Sequence, residues 1–328
     1  MTAEVLRRAL LGTGRLLPAG IRDALKNKLY YEPAIRRGGY RAPDPRLFDA
    51  VFFEVVTRCN SRCTFCAASV QNERRPKTEM TFELYSKVIA ELQALGFAGR
   101  VAYHVANDPL MFKGLEAFVR CAKEALPACH VQIMTNGLAL TPQRGERLLD
   151  AGVDEFFVTF YRRRRDEPLY RHLVEFRDEV LRKRLPVRRG SGYFSADGSR
   201  KLAFKVLPRY LDEVLWSRGG TAPNKAAAPD DVGGFCRFPW TQFNVTTDGR
   251  VSKCCADVFF DDPMGNLQQQ TVAETWRGER FGRVRRALLE GHRRLLPNCQ
   301  GCDYFGLANQ DIRNPLLRAL KYSFLARY

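Results

Sequence analysis

From residue 48 onward the chain alternates runs of apolar, β-branched and aromatic residues with segments of helical period. Residues 48–57 read as a strand. Residues 81–95 read as a helix, with Thr81 a suitable N-cap and Gly96 a stop. Residues 101–105 are a short strand and 115–125 a helix. Residues 131–134 are a strand closed by the turn pair Asn136-Gly137, and 142–150 a helix followed by Gly152. Residues 155–160 are a strand and 168–183 a helix. Strands separated by helices cannot pair through tight hairpins, so they must lie parallel with the helices as crossovers. An α/β fold follows.

The pattern weakens after residue 185. Residues 203–207 and 214–216 are possible strands among many Gly and Pro, and 222–234 reads as a linker. Residues 235–255 carry hairpin-like strands around Asp248-Gly249. Residues 271–290 read as helix and 297–302 as a cysteine-bearing turn. The first 47 residues are a basic lead-in, where Leu6, Leu10, Leu17, Ile21 and Leu25 recur at roughly helical spacing. The expected division is a helical extension (1–47), a core (48–221), the linker (222–234), a small cysteine-rich domain (235–310) and a tail (311–328).

No apolar run approaches the ~18 residues of a membrane helix. Arg7, Arg8 and Arg15 interrupt any signal-peptide core. A cytoplasmic location is therefore expected, where thiols stay reduced. Ten cysteines at clustered spacings then point to metal ligation rather than disulfides. A net charge of +17 favours anionic partners: nucleic acid, phosphorylated metabolites, an acidic membrane surface or an acidic electron carrier. An arginine-biased composition gives the same charge with no partner at all.

Cys59, Cys63 and Cys66 lie just past the first expected strand, at the strand end where parallel α/β folds carry their chemistry. Three thiolates this close can hold three corners of a cubane iron–sulfur cluster and leave the fourth iron open. A zinc site asks for a fourth ligand in paired spacing, and none accompanies the triplet. The CxxxCxxC motif, with the aromatic Phe65 before its last cysteine, resembles the signature of the radical S-adenosylmethionine (SAM) superfamily. That resemblance implies a partial (β/α)6 TIM-like barrel, a SAM-binding [4Fe-4S] cluster on the three cysteines, and Phe65 near the cofactor. It further implies reductive cleavage of SAM to a 5′-deoxyadenosyl radical that abstracts hydrogen from a C–H bond. Ala106-Asn107-Asp108-Pro109 stands where the family often has Gly-Gly-Glu-Pro against SAM's amino group, so Asn107 and Asp108 are candidate cofactor contacts. Thr135-Asn136-Gly137 also matches a common family element, and reads equally as a tight turn.

Cys236, Cys254, Cys299 and Cys302 form a second set, enough to close a cubane. The stretch from Phe235-Cys236 through Gly249…Cys254-Cys255 to Cys299-x-x-Cys302 resembles the small α+β SPASM/twitch extension of radical SAM enzymes, implying a second, auxiliary [4Fe-4S] cluster. Four cysteines also suit structural zinc. Cys255 is left over: an alternative ligand, a packed thiol, or a hydrogen donor to a substrate radical as in epimerases of this group. Cys121 and Cys129 read as buried fillers. Arg162–Arg165 follow the fourth strand and could meet SAM, an anionic substrate or an acidic reductase, or lie in a solvated loop. The basic helix around residues 280–286 is expected to show a solvated face. His104 and Asp257 are further candidates from position alone.

These features imply a radical SAM enzyme acting on a small polar metabolite such as a sugar, cyclitol or nucleoside, by dehydrogenation or epimerisation. Its electron donor would be an acidic flavodoxin or ferredoxin. Modification of a ribosomal peptide is the alternative, weakened because residues 1–47 are short for a peptide-binding domain. RNA modification rests only on the charge. The substrate itself is not written in the sequence, because pocket shape comes from scattered loops.

Overall fold

A computed structural model of the chain, which describes residues 19–42, 46–67, 75–226 and 234–320, contains one ten-stranded sheet. In chain order its strands are β1 (Ala50–Phe53), β2 (Arg100–Tyr103), β3 (His130–Thr135), β4 (Glu155–Arg162), β5 (Val187–Arg189), β6 (Gly192–Phe194), β7 (Lys201–Tyr210), β8 (Gln242–Val245), β9 (Arg250–Ser252) and β10 (Gly265–Asn266). Their spatial order is β10-β9-β8-β1-β2-β3-β4-β7-β6-β5. The run β8-β1-β2-β3-β4-β7 is parallel throughout. The α/β class expected from the alternation is the observed one.

Local chemistry explains the crossovers. The helix Phe82–Ala94 begins where the Thr81 hydroxyl accepts from the Leu84 N–H, and Gly96 beyond its end takes a positive φ of 67°. Thr141 caps Pro142–Ala151 in the same way, and Gly152 closes it in the left-handed region. One face of the sheet carries these helices. Tyr85 packs edge-on against Phe53, and its hydroxyl lies 2.6 Å from that of Tyr103. Phe176 packs edge-on against both Phe156 and Phe204. The opposite face, bearing Ala50, Phe52, Ala102 and Met134, is left for the site.

Six parallel strands are present, but the sixth does not come from a sixth consecutive βα unit. After the helical stretch 171–184 the chain makes the β5–β6 hairpin, turned at Gly190 with φ 60°. β7 then joins β4. The sixth parallel strand, β8, returns from later in the chain to the far edge of β1. Residues 242–276 therefore belong with 48–213 in one unit.

The other unit takes residues up to 47, 214–241 and 277–328. Its helical stretch, residues 19–38, passes through a π-turn at Asn27–Tyr31. That turn shifts the helix phase, so Tyr30, Tyr31 and Ala34 are buried while Ile21 is exposed. Tyr30 meets Phe305 edge-on at 5.0 Å, and the Tyr31 hydroxyl donates to the Phe305 carbonyl at 2.8 Å. Leu6, Leu10 and Leu17, like Arg7, Arg8 and Arg15, lie outside the described residues, as does most of the 222–234 linker and the end of the tail.

Two local expectations differ. Residues 214–216 form no strand; Val214 is exposed and the Trp216 ring instead packs at a tilt against Tyr304, centres 5.0 Å apart. The 271–290 helix divides into Val272–Arg277 and Glu279–Leu289, because Gly278 adopts an extended cap conformation between them. The second part shows the expected solvated face in the exposed Arg280, Arg283 and Arg286, while Arg285 on its other side is fully buried, donates to the Pro239 carbonyl at 3.0 Å and lies over the Phe281 ring.

Candidate functional site

The loop following β1 carries Cys59, Cys63 and Cys66. It is held as a compact turn: the Cys66 N–H donates to the Cys63 carbonyl at 3.1 Å. The Thr64 hydroxyl and N–H both donate to the Leu211 carbonyl beyond β7. Ser61 links two sulfurs, with its N–H 3.5 Å from Cys59 Sγ and its hydroxyl 3.3 Å from Cys63 Sγ. Burial pushes the Cys59 thiol up to about 12, and Asp108, Cys66 and Cys63 add to the rise against the Ser61 N–H. A buried thiol that resists ionising alone, with two further cysteines on the same loop, suits a cationic cluster core that would neutralise its thiolate. Among the described residues no three His, Cys, Asp or Glu side chains converge as they would on a single metal ion. A cubane asks for something else, one thiolate at each of several separated corners.

Phe65 is buried, its ring 5.5 Å from that of Tyr161. It packs the loop onto β4.

Asp108 and Asn107 have opposite surroundings. The Asp108 N–H donates to the Arg58 carbonyl, joining the β2 loop to the cysteine loop. Its carboxylate accepts from the Leu110 N–H at 3.0 Å, the Thr135 hydroxyl at 2.9 Å and the Asn136 N–H at 2.8 Å. Burial raises its pKa, while these donors oppose the rise. These three donors tie the loop after β2 to the loop after β3 through the carboxylate, while the Asp108 N–H reaches the loop after β1. Asn107 is the reverse. Both polar atoms of its side chain are buried and have no hydrogen-bond partner. Such an orphaned amide fits a polar ligand beside the cysteine loop.

Asn136 proves to be more than a turn residue. Its side-chain amide donates to Cys59 Sγ at 3.8 Å and to Asn60 Oδ1 at 2.7 Å, while its own oxygen caps the Leu138 N–H. Gly137 holds φ 81° with no room for a Cβ against Val158 and Leu173, and its carbonyl meets His172 Nε2 at 2.8 Å. Sequence reasoning missed Asn60, Ser61 and His172; common polar residues in loops carry no spacing signal.

An apolar floor lies beneath the cysteine loop. Val258 and Phe260 pack with Ala50, Phe52, Ala67, Ala102, Val105 and Ala106, and Cys66 and Met134 border the same cluster. Phe260 holds a left-handed φ of 54°, and Arg75 lies 4.6 Å from its ring centre. This segment directly follows Cys254 and Cys255, at the end of the β8–β9 hairpin. The Cys254 N–H donates to the Ser252 hydroxyl and the Cys255 N–H to Gln242 Oε1; both cysteines are half-buried. Asp257 is buried in an ion pair with Lys253 at 2.9 Å. His104, on the same sheet face as Phe52, lies 6.5 Å from that ring.

At the C-terminal end of β4, Arg162 lies over the Tyr210 ring at 5.1 Å and donates to the Arg165 carbonyl. Arg163, Arg164 and Arg165 are exposed. Cys121 and Cys129 sit apart from these groups, Cys129 buried and Cys121 half-buried.

In the other unit, Cys236, Cys299 and Cys302 act on one another electrostatically. Burial pushes the Cys236 thiol up to about 12, with Cys302 and Cys299 adding to it and Arg293 opposing. The loop is firmly anchored. The Cys299 N–H donates to the Leu296 carbonyl and the Cys302 N–H to the Cys299 carbonyl. Asp303 accepts from the Ser217 N–H at 2.6 Å and pairs with Lys225. The Ser217 hydroxyl donates to the Gly301 carbonyl at 2.7 Å.

Comparison with known proteins agrees with this architecture. A family model described as "Radical SAM superfamily" matches residues 53–183, and one described as "Iron-sulfur cluster-binding domain", SPASM, matches 236–303. The chain is a member of the radical SAM superfamily carrying a SPASM-type iron–sulfur region. It is 29% identical over 266 residues to the S-adenosyl-L-methionine-dependent 2-deoxy-scyllo-inosamine dehydrogenase of Niallia circulans, covering 81% of this chain and 97% of that protein. It resembles the crystal structure of BtrN in complex with AdoMet and 2-DOIA with TM-score 0.62 and 29% identity, covering 79% of this chain and 94% of that one. A shorter likeness, 33% over 112 residues, links it to the GTP 3′,8-cyclase of Chlorobaculum tepidum (strain ATCC 49652 / DSM 12025 / NBRC 103806 / TLS), covering 33% of this chain and 32% of that protein. The protein is thus a radical SAM oxidoreductase with an auxiliary iron–sulfur region. Among the described residues no helix is long and apolar enough to cross a membrane.

Proposed function

We propose that this enzyme oxidises a secondary alcohol of a cyclitol-like, polyhydroxylated metabolite to a ketone. The observation that carries the proposal is the likeness to a cyclitol dehydrogenase over 97% of that protein's length, in a chain with both cysteine sets. When bound, the first cluster and SAM supply the 5′-deoxyadenosyl radical that removes hydrogen from carbon.

The chain's own residues have separable tasks. Cys59, Cys63 and Cys66 would hold the first cluster, three ligands for four irons, leaving a site open to SAM. Asn107 offers its orphaned amide to SAM's polar end. Asp108 fixes the loops that present these groups. The floor of Val258 and Phe260 keeps water from that side of the site, which strengthens the electrostatic interactions inside it. Cys236, Cys299 and Cys302 would hold the auxiliary cluster, with Cys254 the fourth ligand by its sequence spacing, and the group would supply an acceptor for the substrate radical's remaining electron. Cys255 is then a neighbour of a ligand and not a hydrogen donor.

A basic protein with exposed Arg163, Arg164 and Arg165 at the strand end bearing the cysteine loop suits an acidic flavodoxin or ferredoxin as electron donor. Such a partner and a reducing interior make a cytoplasmic location the fitting one.

The test is anaerobic reconstitution with dithionite, SAM and 2-deoxy-scyllo-inosamine or a related aminocyclitol. One 5′-deoxyadenosine per ketone is expected, and Cys255→Ala keeps turnover. Solvent deuterium entering the product in D₂O, lost together with activity in Cys255→Ala, would replace dehydrogenation by epimerisation.

A further inference from the structure

Arg293 opens the short 3₁₀ turn Arg293–Leu295 that leads into the Cys299–Cys302 loop. Its side chain is one of the largest fully enclosed in the protein. One guanidinium nitrogen, Nη1, donates to the Tyr304 carbonyl at 2.7 Å, two residues past Cys302. Its backbone carbonyl accepts from the Leu296 N–H at 3.1 Å. Arg293 Nε is buried and has no acceptor among the described residues. No carboxylate is paired with this cation by an ion pair among those residues; Asp303, next to Cys302, is engaged by Ser217 and Lys225, and the exposed Glu290 by His292.

A buried cation without a carboxylate costs several kcal/mol unless another anion compensates it. The groups whose charge acts on it are sulfurs. Burial alone would lower the guanidinium's pKa, yet Cys302, Cys236 and Cys299, with Tyr31, raise it well above its ordinary value. The chain therefore places a fixed positive charge and an unused N–H donor beside three cysteines of one unit.

We infer that Arg293 is a positioning residue that raises the reduction potential of the auxiliary cluster, making it a competent one-electron acceptor. Reduction adds one electron to an already anionic thiolate-ligated cluster. A fixed cation nearby stabilises the added charge, and an N–H donor to a cluster sulfur acts in the same direction. In turnover that electron comes from the substrate radical, whose carbon becomes a carbonyl as its hydroxyl proton leaves. This inference rests on the ligand assignment above.

The experiment uses the full chain with Cys59, Cys63 and Cys66 all replaced by Ala, so that only the auxiliary cluster is reconstituted. Iron analysis comes first. About four irons per chain support the ligand assignment, while an iron-free chain would overturn that assignment, separately from Arg293. Potentials are then measured by EPR-monitored titration. Arg293→Gln is expected to favour the oxidised cluster at least tenfold at fixed potential, a downward shift of about 59 mV or more for one electron. Arg293→Lys is expected to recover most of the shift, because it keeps the charge. An iron-loaded Arg293→Gln with the parent potential, or Arg293→Lys behaving like Gln, would overturn the inference. Should Arg293→Gln fail to load, isotope labelling of arginine nitrogen in the parent supplies the second measurement. Pulsed EPR of the reduced cluster is then expected to show a nitrogen coupling, and its absence would overturn the inference equally.

Discussion

Asn136 at the end of β3 and Cys59 after β1 meet through an amide-to-sulfur contact of 3.8 Å, and the same amide donates to Asn60 at 2.7 Å. A donor to a ligand sulfur stabilises negative charge there, and hydrogen bonds to charged groups are worth about 1.5–3 kcal/mol. Asn136→Ala is expected to retain iron at the first cluster but slow 5′-deoxyadenosine formation by about tenfold or more, by the rule that 1.4 kcal/mol is a factor of ten. Asn136→Asp, which places an anion beside the sulfur, is expected to be slower still. Equal rates in the three proteins would remove Asn136 from the site.

Asp108 joins the loops after β2 and β3 through one buried carboxylate, so its removal should show in stability as well as activity. Asp108→Ala strands the Leu110 and Asn136 N–H groups, and each unsatisfied buried donor costs about 1–3 kcal/mol. Thermal melts of the metal-free chain are expected to fall by several degrees, at about 2–4 °C per kcal/mol for large domains. An unchanged melting curve would show that the carboxylate is free to serve a ligand instead. Asn107→Ala, which strands nothing within the protein, is expected to leave the melt unchanged and weaken SAM binding.

Much of this was legible in the sequence because it follows from local rules. Thr81 and Gly96 bracket a helix by capping chemistry, and CxxxCxxC after a strand places three sulfurs on one loop. The partners that tune those sulfurs were not legible. Asn136 looks like any Asn-Gly turn, and Arg293 stands in an Arg-Arg pair indistinguishable by spacing from solvated arginines. The burial of Arg285 was not legible for the same reason: the carbonyl of Pro239 that it satisfies lies 46 residues away in sequence. Likewise, nothing in residues 242–245 announces pairing with β1, since a short apolar strand fits a hairpin or a parallel edge equally well. Long-range partnership is what pattern reading lacks.

The two cysteine sets should behave independently when iron is counted. Two cubanes correspond to about eight irons per chain. Cys63→Ala is expected to bring this to about four and abolish SAM cleavage. Cys299→Ala is expected to bring it to about four as well, but to leave SAM cleavage measurable and uncoupled from ketone formation. If Cys299→Ala kept its full iron, or held zinc in the parent, the second set would be structural and substrate oxidation would need another electron acceptor.

Glu155, at the start of β4, gives the sheet a pH-dependent tie remote in sequence from the cysteines. It is almost fully buried and lies 2.9 Å from His130 Nε2 and 2.8 Å from Lys205 Nζ. Burial pushes its carboxyl up, but hydrogen bonding from His130, Lys205 and Gln132 outweighs burial and holds it down to about 2. An unfolded Glu titrates near ~4.3. Because the folded value is the lower one, the unfolded chain takes up the proton first as pH falls. The stabilisation is therefore complete above about 4.3 and is lost as pH drops toward the folded value of about 2. In urea melts of the metal-free chain, the parent should exceed Glu155→Gln in stability by a constant margin above pH 5, and the margin should shrink on acidification. A margin that instead grew below pH 4 would mean that Glu155 is protonated in the folded protein and that His130 and Lys205 are held by something else.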